Sequence, residues 1–198
     1  FRNCSSLKSI NIPEGVTSIG QEAFKGCTSL ENIVIPEGVK SIGDRIFDGC
    51  SSLESINVDI NNKNYASENG VLFNKEKTEI IIYPAGKEDI EEYMIPNTVT
   101  SIEADAFANC ISLKSINIPE GVTNIADSTF EGCSSLESIT IPESITSIRT
   151  NAFSGCSSLD NIIIPEGVKS IEDMTFYGCS SLKSITIPVS VTSIGSNA

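Results

Sequence analysis

The sequence predicts an α/β repeat solenoid, and two observations lead to that fold. The chain of 198 residues contains seven cysteines, and every gap between neighbours is 23 residues except the 60 between Cys50 and Cys110. Within each repeat, apolar residues recur in the pattern LxxIxIPxxVxxIxxxAFxxC. Self-similarity at a period of about 20 to 50 residues is typical of solenoids, in which each unit packs only on its neighbours.

Each repeat begins with two short strands joined by a turn. Ile10 and Ile12 alternate with polar residues, which predicts a strand with one buried face. Residues 13–15 read Pro-Glu-Gly, which suits a type I turn, and residues 16–19 predict a second short strand on the opposite wall. Stacking of the repeats then predicts a parallel β-sheet on one face.

The last element of each repeat is predicted to be one helical or 3₁₀ turn, at residues 21–25 in the first copy. The column before each cysteine holds the residues that best tolerate a left-handed conformation, and such a residue ends a short helix. Its members are Asn3, Gly26, Gly49, Asn109, Gly132, Gly155 and Gly178. The Gly of Pro-Glu-Gly is replaced by Thr98, Ser144 or Ser190 in other copies, so a positive φ is not required there.

One unit, at about residues 59–94, departs from the pattern. Asp59 replaces the expected proline, and the regular spacing resumes at Pro96. The apolar runs VLF and TEIIIY flank the polar stretch NKEK, which predicts an inserted β-hairpin. The segment TEIIIYP also matches a repeat strand with Pro84 in the proline column, so a further layer of the solenoid is an alternative.

The two ends of the chain both fall within repeats. We expect residues 1–198 to form a single repeat domain and to be a segment of a longer array, because terminal repeats with a polar outer face are missing. Unpaired strand edges at such ends favour pairing with another chain, so we also expect end-to-end self-association.

Composition and charge argue against several classes of function. Thirteen basic and 26 acidic residues give a formal charge of −13, which repels phosphate backbones, so nucleic acid is not an expected partner. No apolar run reaches the roughly 18 residues of a membrane span, so no membrane insertion is expected. The chain contains no His, which excludes Cys-His catalysis, and the cysteines lack the close spacing of zinc ligands. We expect no catalytic residues, cofactor or metal, and a buried stack of free thiols.

The repeat resembles the BspA-like leucine-rich repeats, a 23-residue class found in surface proteins of bacteria and some protists. The motifs L-x-x-I-x-I-P, V-x-x-I and A-F-x-G-C carry the resemblance over the whole chain. The resemblance implies a right-handed leucine-rich-repeat superhelix without the asparagine ladder of ordinary leucine-rich repeats. It also implies a secreted or cell-surface adhesion scaffold that binds a protein, the extracellular matrix or a host surface. A structural stalk that spaces another domain from the cell surface is the alternative function.

Candidate binding residues are found where the repeats differ. Solenoids bind ligands on exposed sheet faces, although small polar side chains can also simply bond to each other across strands. Tyrosines are enriched at binding hot spots, yet in the irregular unit they can equally fill a widened core. The candidates are Asn11, Val34, Asn57, Met94, Asn117 and Ile163 on the sheet face, and Tyr65, Tyr83 and Tyr93 in the irregular unit.

Overall fold

The computed structural model of the chain describes residues 1–87 and 91–198. These residues fall into two compact units, Phe1–Lys87 and Glu88–Ala198, which we call unit 1 and unit 2. Each unit contains short parallel strands that stack layer on layer, with successive layers offset by 23 residues in sequence. The parallel sheets confirm the predicted solenoid.

Unit 1 begins with two parallel sheets. The main sheet contains β1 (Ser9–Ile10), β3 (Asn32–Ile35) and β5 (Ser55–Val58), in that order. The opposite wall pairs β2 (Ser18–Ile19) with β4 (Ser41–Ile42). The alternating burial of β3, with Ile33 and Ile35 inside and Asn32 and Val34 outside, follows the period of two that the sequence predicts.

The irregular part of unit 1 is an antiparallel meander of β6 (Tyr65–Glu68), β7 (Val71–Asn74) and β8 (Glu79–Ile82). The hairpin of β7 and β8 confirms the predicted insertion. The third strand, β6, was not predicted. It joins β7 through Asn69 and Gly70, which both have positive φ, at 50° and 78°. Asn-Gly between two strands is the usual signature of a type I′ hairpin turn, so the sequence carried a signal for this turn.

Unit 2 repeats the two-walled arrangement. Its main-sheet strands are β9 (Glu92–Met94), β11 (Ser115–Asn117), β13 (Ser138–Thr140), β15 (Asn161–Ile163) and β17 (Ser184–Thr186). Its second-wall strands are β10 (Ser101–Ile102), β12 (Asn124–Ile125), β14 (Ser147–Ile148), β16 (Ser170–Ile171) and β18 (Ser193–Ile194). Pairing is parallel within the sheets β9–β11–β13, β15–β17 and β12–β14–β16–β18.

The core between the walls consists of stacked columns of identical residues. In unit 2, Leu113, Leu136 and Leu159 form one such column and are almost completely buried. Phenylalanine rings stack in the same way, with ring centroids 5.3 Å apart for Phe107 and Phe130 and 5.4 Å apart for Phe130 and Phe153. Offset ring pairs at this separation stabilise the fold beyond their burial alone.

The predicted helical turn is wrong, and no α- or 3₁₀-helix occurs in residues 1–87 and 91–198. Alternate amides of this segment donate to the next layer rather than along the chain: Ser128 N to Thr150 O at 3.0 Å, and Phe130 N to Ala152 O at 2.9 Å. An α-helix needs consecutive amides for its own i−4 bonds, so these cross-layer bonds exclude it. Ser128 also has a φ of 54°, outside the helical region.

Two turn columns behave as the sequence indicates. All seven residues before the cysteines have positive φ, which confirms the predicted left-handed column. In the Pro-Glu-Gly column, the Ser144 hydroxyl donates to Val122 O at 2.7 Å, so serine adds a bond between layers where other repeats have glycine. Asn62 is the single buried asparagine of the described residues, so the described layers contain no asparagine ladder.

Replacement of Phe153 by Ala should lower the free energy of unfolding by about 3–5 kcal/mol, because it opens a cavity in a completely buried ring stack. Tyr177→Ala is the control. That ring is 59% exposed, so we expect a change within about 0.5 kcal/mol. Urea unfolding followed by circular dichroism measures both variants, and equal stability losses would show that the Phe column is not the core.

Candidate functional site

The exposed face of the main sheet is the surface on which the repeats differ most in chemistry. In unit 1, Asn11, Val34 and Asn57 are exposed at equivalent positions of successive layers. In unit 2, Met94, Asn117 and Thr140 are aligned across β9, β11 and β13. All six predicted sheet-face candidates therefore have accessible side chains, and the prediction that they bind a partner remains a prediction.

Two large apolar side chains project from the face of unit 2. Met94 is 69% exposed and Ile163 is 73% exposed; the inward neighbour of Ile163, Ile162, is buried, and that of Met94, Tyr93, is half-buried. The other layers have Asn117, Thr140 and Thr186 at the same position. Thr at two of these positions shows that the fold does not need an apolar residue there.

Charged side chains border this face. On one side of unit 2, Lys114 Nζ lies 2.7 Å from Glu91, and the hydrogen bond with that carboxylate raises the pKa of the lysine. Lys183 lies 3.5 Å from Asp160 in the same column. On the turn side, an acidic column of Glu120, Glu143 and Glu166 is exposed. The face thus has an ion-paired margin, an acidic margin and a centre that is uncharged except for the exposed Glu92 of β9.

The three tyrosine candidates lie in different environments. Tyr65 is half-buried and its hydroxyl accepts a hydrogen bond from Ile42 N at 3.0 Å. Tyr83 is only 3% exposed, so its ring belongs to the core of unit 1. Tyr93 is half-buried in unit 2, with its ring tilted against Phe107 at a centroid distance of 6.0 Å. These positions favour the core-filling alternative for Tyr83, and they leave Tyr65 and Tyr93 only partly accessible.

A buried asparagine that was not predicted as important anchors the irregular unit. Asn62 is completely buried, and its Nδ2 donates to Pro36 O at 2.8 Å and to Val39 O at 3.0 Å. Its Oδ1 accepts from the amides of Asn64 and Tyr65. Asn62 therefore ties the insertion to the turn of the preceding layer. The sequence signal for this role was weak, because Asn62 stands within the run Asn-Asn-Lys-Asn.

A shallow polar groove of about 540 Å³ lies beside this anchor in unit 1. Three carboxylates and two ammonium groups line it together, so its charge is mixed and only slightly negative. Its lining residues are Glu14, Glu37, Gly38, Lys40, Asp59, Lys63 and Asn64. Residues 1–87 and 91–198 contain no group of three or more His, Cys, Asp or Glu side chains that could hold a metal ion.

The cysteines are placed for packing rather than for chemistry. All seven are free; five are buried, whereas Cys4 is exposed and Cys179 is half-buried. The Cys50 thiol donates to Phe24 O at 3.1 Å, and Cys156 donates to Phe130 O at 3.2 Å. Burial raises the pKa of Cys50 to about 12 and also raises that of Cys156. Nucleophilic attack needs the thiolate, so these thiols are unreactive at neutral pH.

The family and fold of the chain follow from its similarities. Residues 1–94 and 85–198 match the BspA-type leucine-rich repeat region, with six copies. No curated protein sequence matches the chain. No helix in residues 1–87 or 91–198 is long and apolar enough to cross a membrane.

Three solved bacterial structures share the fold. A leucine-rich repeat protein from Eubacterium ventriosum is 31% identical with a TM-score of 0.74, and the match covers 96% of this chain and 63% of that one. The pneumococcal vaccine antigen PcpA is 28% identical with a TM-score of 0.80, and the match covers 96% of this chain and 55% of that one. A leucine-rich cell surface protein from Faecalibacterium prausnitzii is 30% identical with a TM-score of 0.80, and the match covers 98% of this chain and 61% of that one. The chain therefore spans about three fifths of the length of these proteins, and their shared fold confirms the leucine-rich-repeat solenoid.

Asn62→Ala should destabilise unit 1 by about 2–4 kcal/mol, because two buried carbonyls lose their donor and two amides lose their acceptor. Asn61→Ala removes an exposed side chain of the same type and should change the free energy of unfolding by less than about 0.5 kcal/mol. Thermal and urea unfolding compare the two variants. Equal stability of both variants would contradict the anchoring role.

The buried thiols should make the protein lose stability in alkali. A raised pKa means that the folded state holds the proton more tightly than the unfolded chain, so the contribution is complete below the ordinary value of 9.0 and is lost as pH rises towards about 12. Cys50→Ser keeps a hydroxyl donor but removes the titrating thiol. Urea unfolding between these pH values should show a shallower decline for Cys50→Ser than for the natural chain, and identical slopes would refute the assignment.

Proposed function

Because the chain belongs to the BspA-type leucine-rich repeat family, we propose that it is a noncatalytic scaffold that binds a protein or matrix partner at the cell surface. In this proposal residues 1–198 act as one repeat domain, and the exposed sheet face makes the contact. Family membership supports a binding or scaffold role. The F. prausnitzii protein is a leucine-rich cell surface protein, and this similarity supports the location.

The observation that carries the proposal is the exposure of Met94 and Ile163 on a face where neighbouring layers use small polar residues. An exposed large apolar side chain on a sheet face does not stabilise the solenoid. Exposed aliphatic side chains among small polar residues are, however, suited to be covered by a partner, because apolar side chains make up the cores of interfaces. The irregular unit contributes a second surface, with Tyr65 at its edge.

The acidic composition and the lack of His support a role without acid–base catalysis. A His-free chain has no side chain whose ordinary pKa lies near neutrality, and the buried thiols have pKa values far above it.

The double variant Met94→Thr, Ile163→Thr tests the proposal on an array of purified extracellular-matrix proteins and glycans. Thr occupies this column in other layers, so the variant should fold normally. We expect saturable binding by the natural chain that the double variant weakens by at least about tenfold, a loss of about 1.4 kcal/mol. Ile111→Thr, which removes an exposed isoleucine outside the sheet face, should leave the binding unchanged.

The same experiment separates binding from the alternative of a stalk. A stalk predicts no saturable binding to any member of the array. Light scattering at each protein concentration controls for the end-to-end association that the sequence predicts, because self-association raises apparent affinity through multivalency.

A further inference from the structure

The two units differ strongly in charge. Unit 1, Phe1–Lys87, has 11 acidic and nine basic residues, a net charge of −2. Unit 2, Glu88–Ala198, has 15 acidic and four basic residues, a net charge of −11. Of the chain's net charge of −13, unit 2 therefore contributes −11, and this is also the unit that carries Met94 and Ile163.

The few cations of unit 2 do little to offset this charge on the sheet face. Lys114 and Lys183 border the face, and both are engaged with carboxylates of neighbouring layers. The turn margin of the same face carries the exposed column of Glu120, Glu143 and Glu166 without a lysine or arginine at the equivalent position of any layer in unit 2. The neighbouring turn positions contribute one lysine, Lys169, so a partner at this margin faces more carboxylates than ammonium groups.

In one layer of unit 2 the apolar side chain of Ile163 is followed three residues later by the carboxylate of Glu166. Three residues after the outward strand position, each of three successive layers presents a glutamate, as in the pairs Thr140–Glu143 and Ile163–Glu166. Neighbouring strands of a sheet lie about 4.8 Å apart, so the face offers parallel rows of small or apolar side chains and of carboxylates. A protein segment with apolar residues next to lysine or arginine matches both rows.

We infer that the sheet face of unit 2 binds a cationic, partly apolar protein segment. The inference rests on the proposed binding function and adds the chemistry of the partner. Complementary charge steers the encounter and selects against acidic partners, while Met94 on β9 and Ile163 on β15 supply two apolar contacts, with Asn117 and Thr140 in the layers between them. The more balanced unit 1, whose groove is lined by both signs of charge, offers no equivalent preference.

The test uses the full chain and three synthetic peptides of equal length, which share leucine and serine positions and carry Lys, Gln or Glu at the others. Fluorescence anisotropy measures their affinities at about 0.05 and 0.15 M salt. We expect the Lys peptide alone to bind with a saturable isotherm, and the higher salt to weaken it. Glu143→Gln with Glu166→Gln should weaken binding of the Lys peptide by at least about fivefold.

A matched control pair of substitutions distinguishes binding at the sheet face from attraction by the overall negative charge of unit 2. Asp127→Asn with Glu131→Gln removes the same charge from the turn segment of unit 2, outside the sheet face, and should change the affinity less than about twofold. Ile163→Thr should also weaken the Lys peptide. Equal losses from the two charge pairs, no effect of Ile163→Thr, or no binding of the Lys peptide would each overturn the inference.

Failure of this inference is separable from failure of the proposed function. If a matrix protein binds in a manner that depends on Met94 and Ile163, but neither salt nor the Glu143 and Glu166 pair affects its affinity, the scaffold function stands and the cationic partner is wrong. If no protein and no peptide binds, both proposals fail together with the binding surface itself.

Discussion

The structure depends on hydrogen bonds that run between layers on both walls. Strands of the main sheet and of the second wall pair in parallel with a constant offset of 23 residues. The turn segments do the same, since Phe130 and Gly132 donate to carbonyls of the next layer at 2.9 and 2.7 Å. Because three sides of each layer are joined in this way, every side chain is placed against its equivalents in the layers before and after it.

This constraint explains why most of each repeat is unavailable for function. Stacking of equivalents brings leucine onto leucine and phenylalanine onto phenylalanine, as in the pair Phe130–Phe153. It also places four of the five buried thiols against a phenylalanine carbonyl of the preceding layer, as for Cys133 and Phe107 at 3.1 Å. What remains free to vary without loss of packing is the outward strand position and the turn beside it, and these are the positions that differ in unit 2.

The sequence predicted the strands of the regular repeats, the left-handed residues before the cysteines and the free thiols, because periodicity and residue type decide those features locally. It failed for the turn segment around Ser128, where the local pattern is compatible with one helical turn. The competing cross-layer bonds involve amides and carbonyls about 22 residues apart, which no local pattern reports. The Asn62 anchor was missed for the same reason, since its bonds reach back to Pro36 and Val39. The exposed positions of the sheet face could be predicted from the period of two. The difference in net charge between unit 1 and unit 2 became visible only when the boundary between the units was known.

Site-resolved amide hydrogen exchange tests most directly whether the turn wall is held together layer by layer. The amides of Ser128, Phe130 and Gly132 donate across layers and should be as strongly protected as the amide of Ser138 in β13, which donates to Lys114 O at 3.3 Å. The neighbouring amides of Thr129 and Glu131 make only local turn bonds and should exchange faster. Fast exchange at Phe130 and Gly132, or uniform protection of the whole segment as in a helix, would contradict the layered turn and the column arrangement that follows from it.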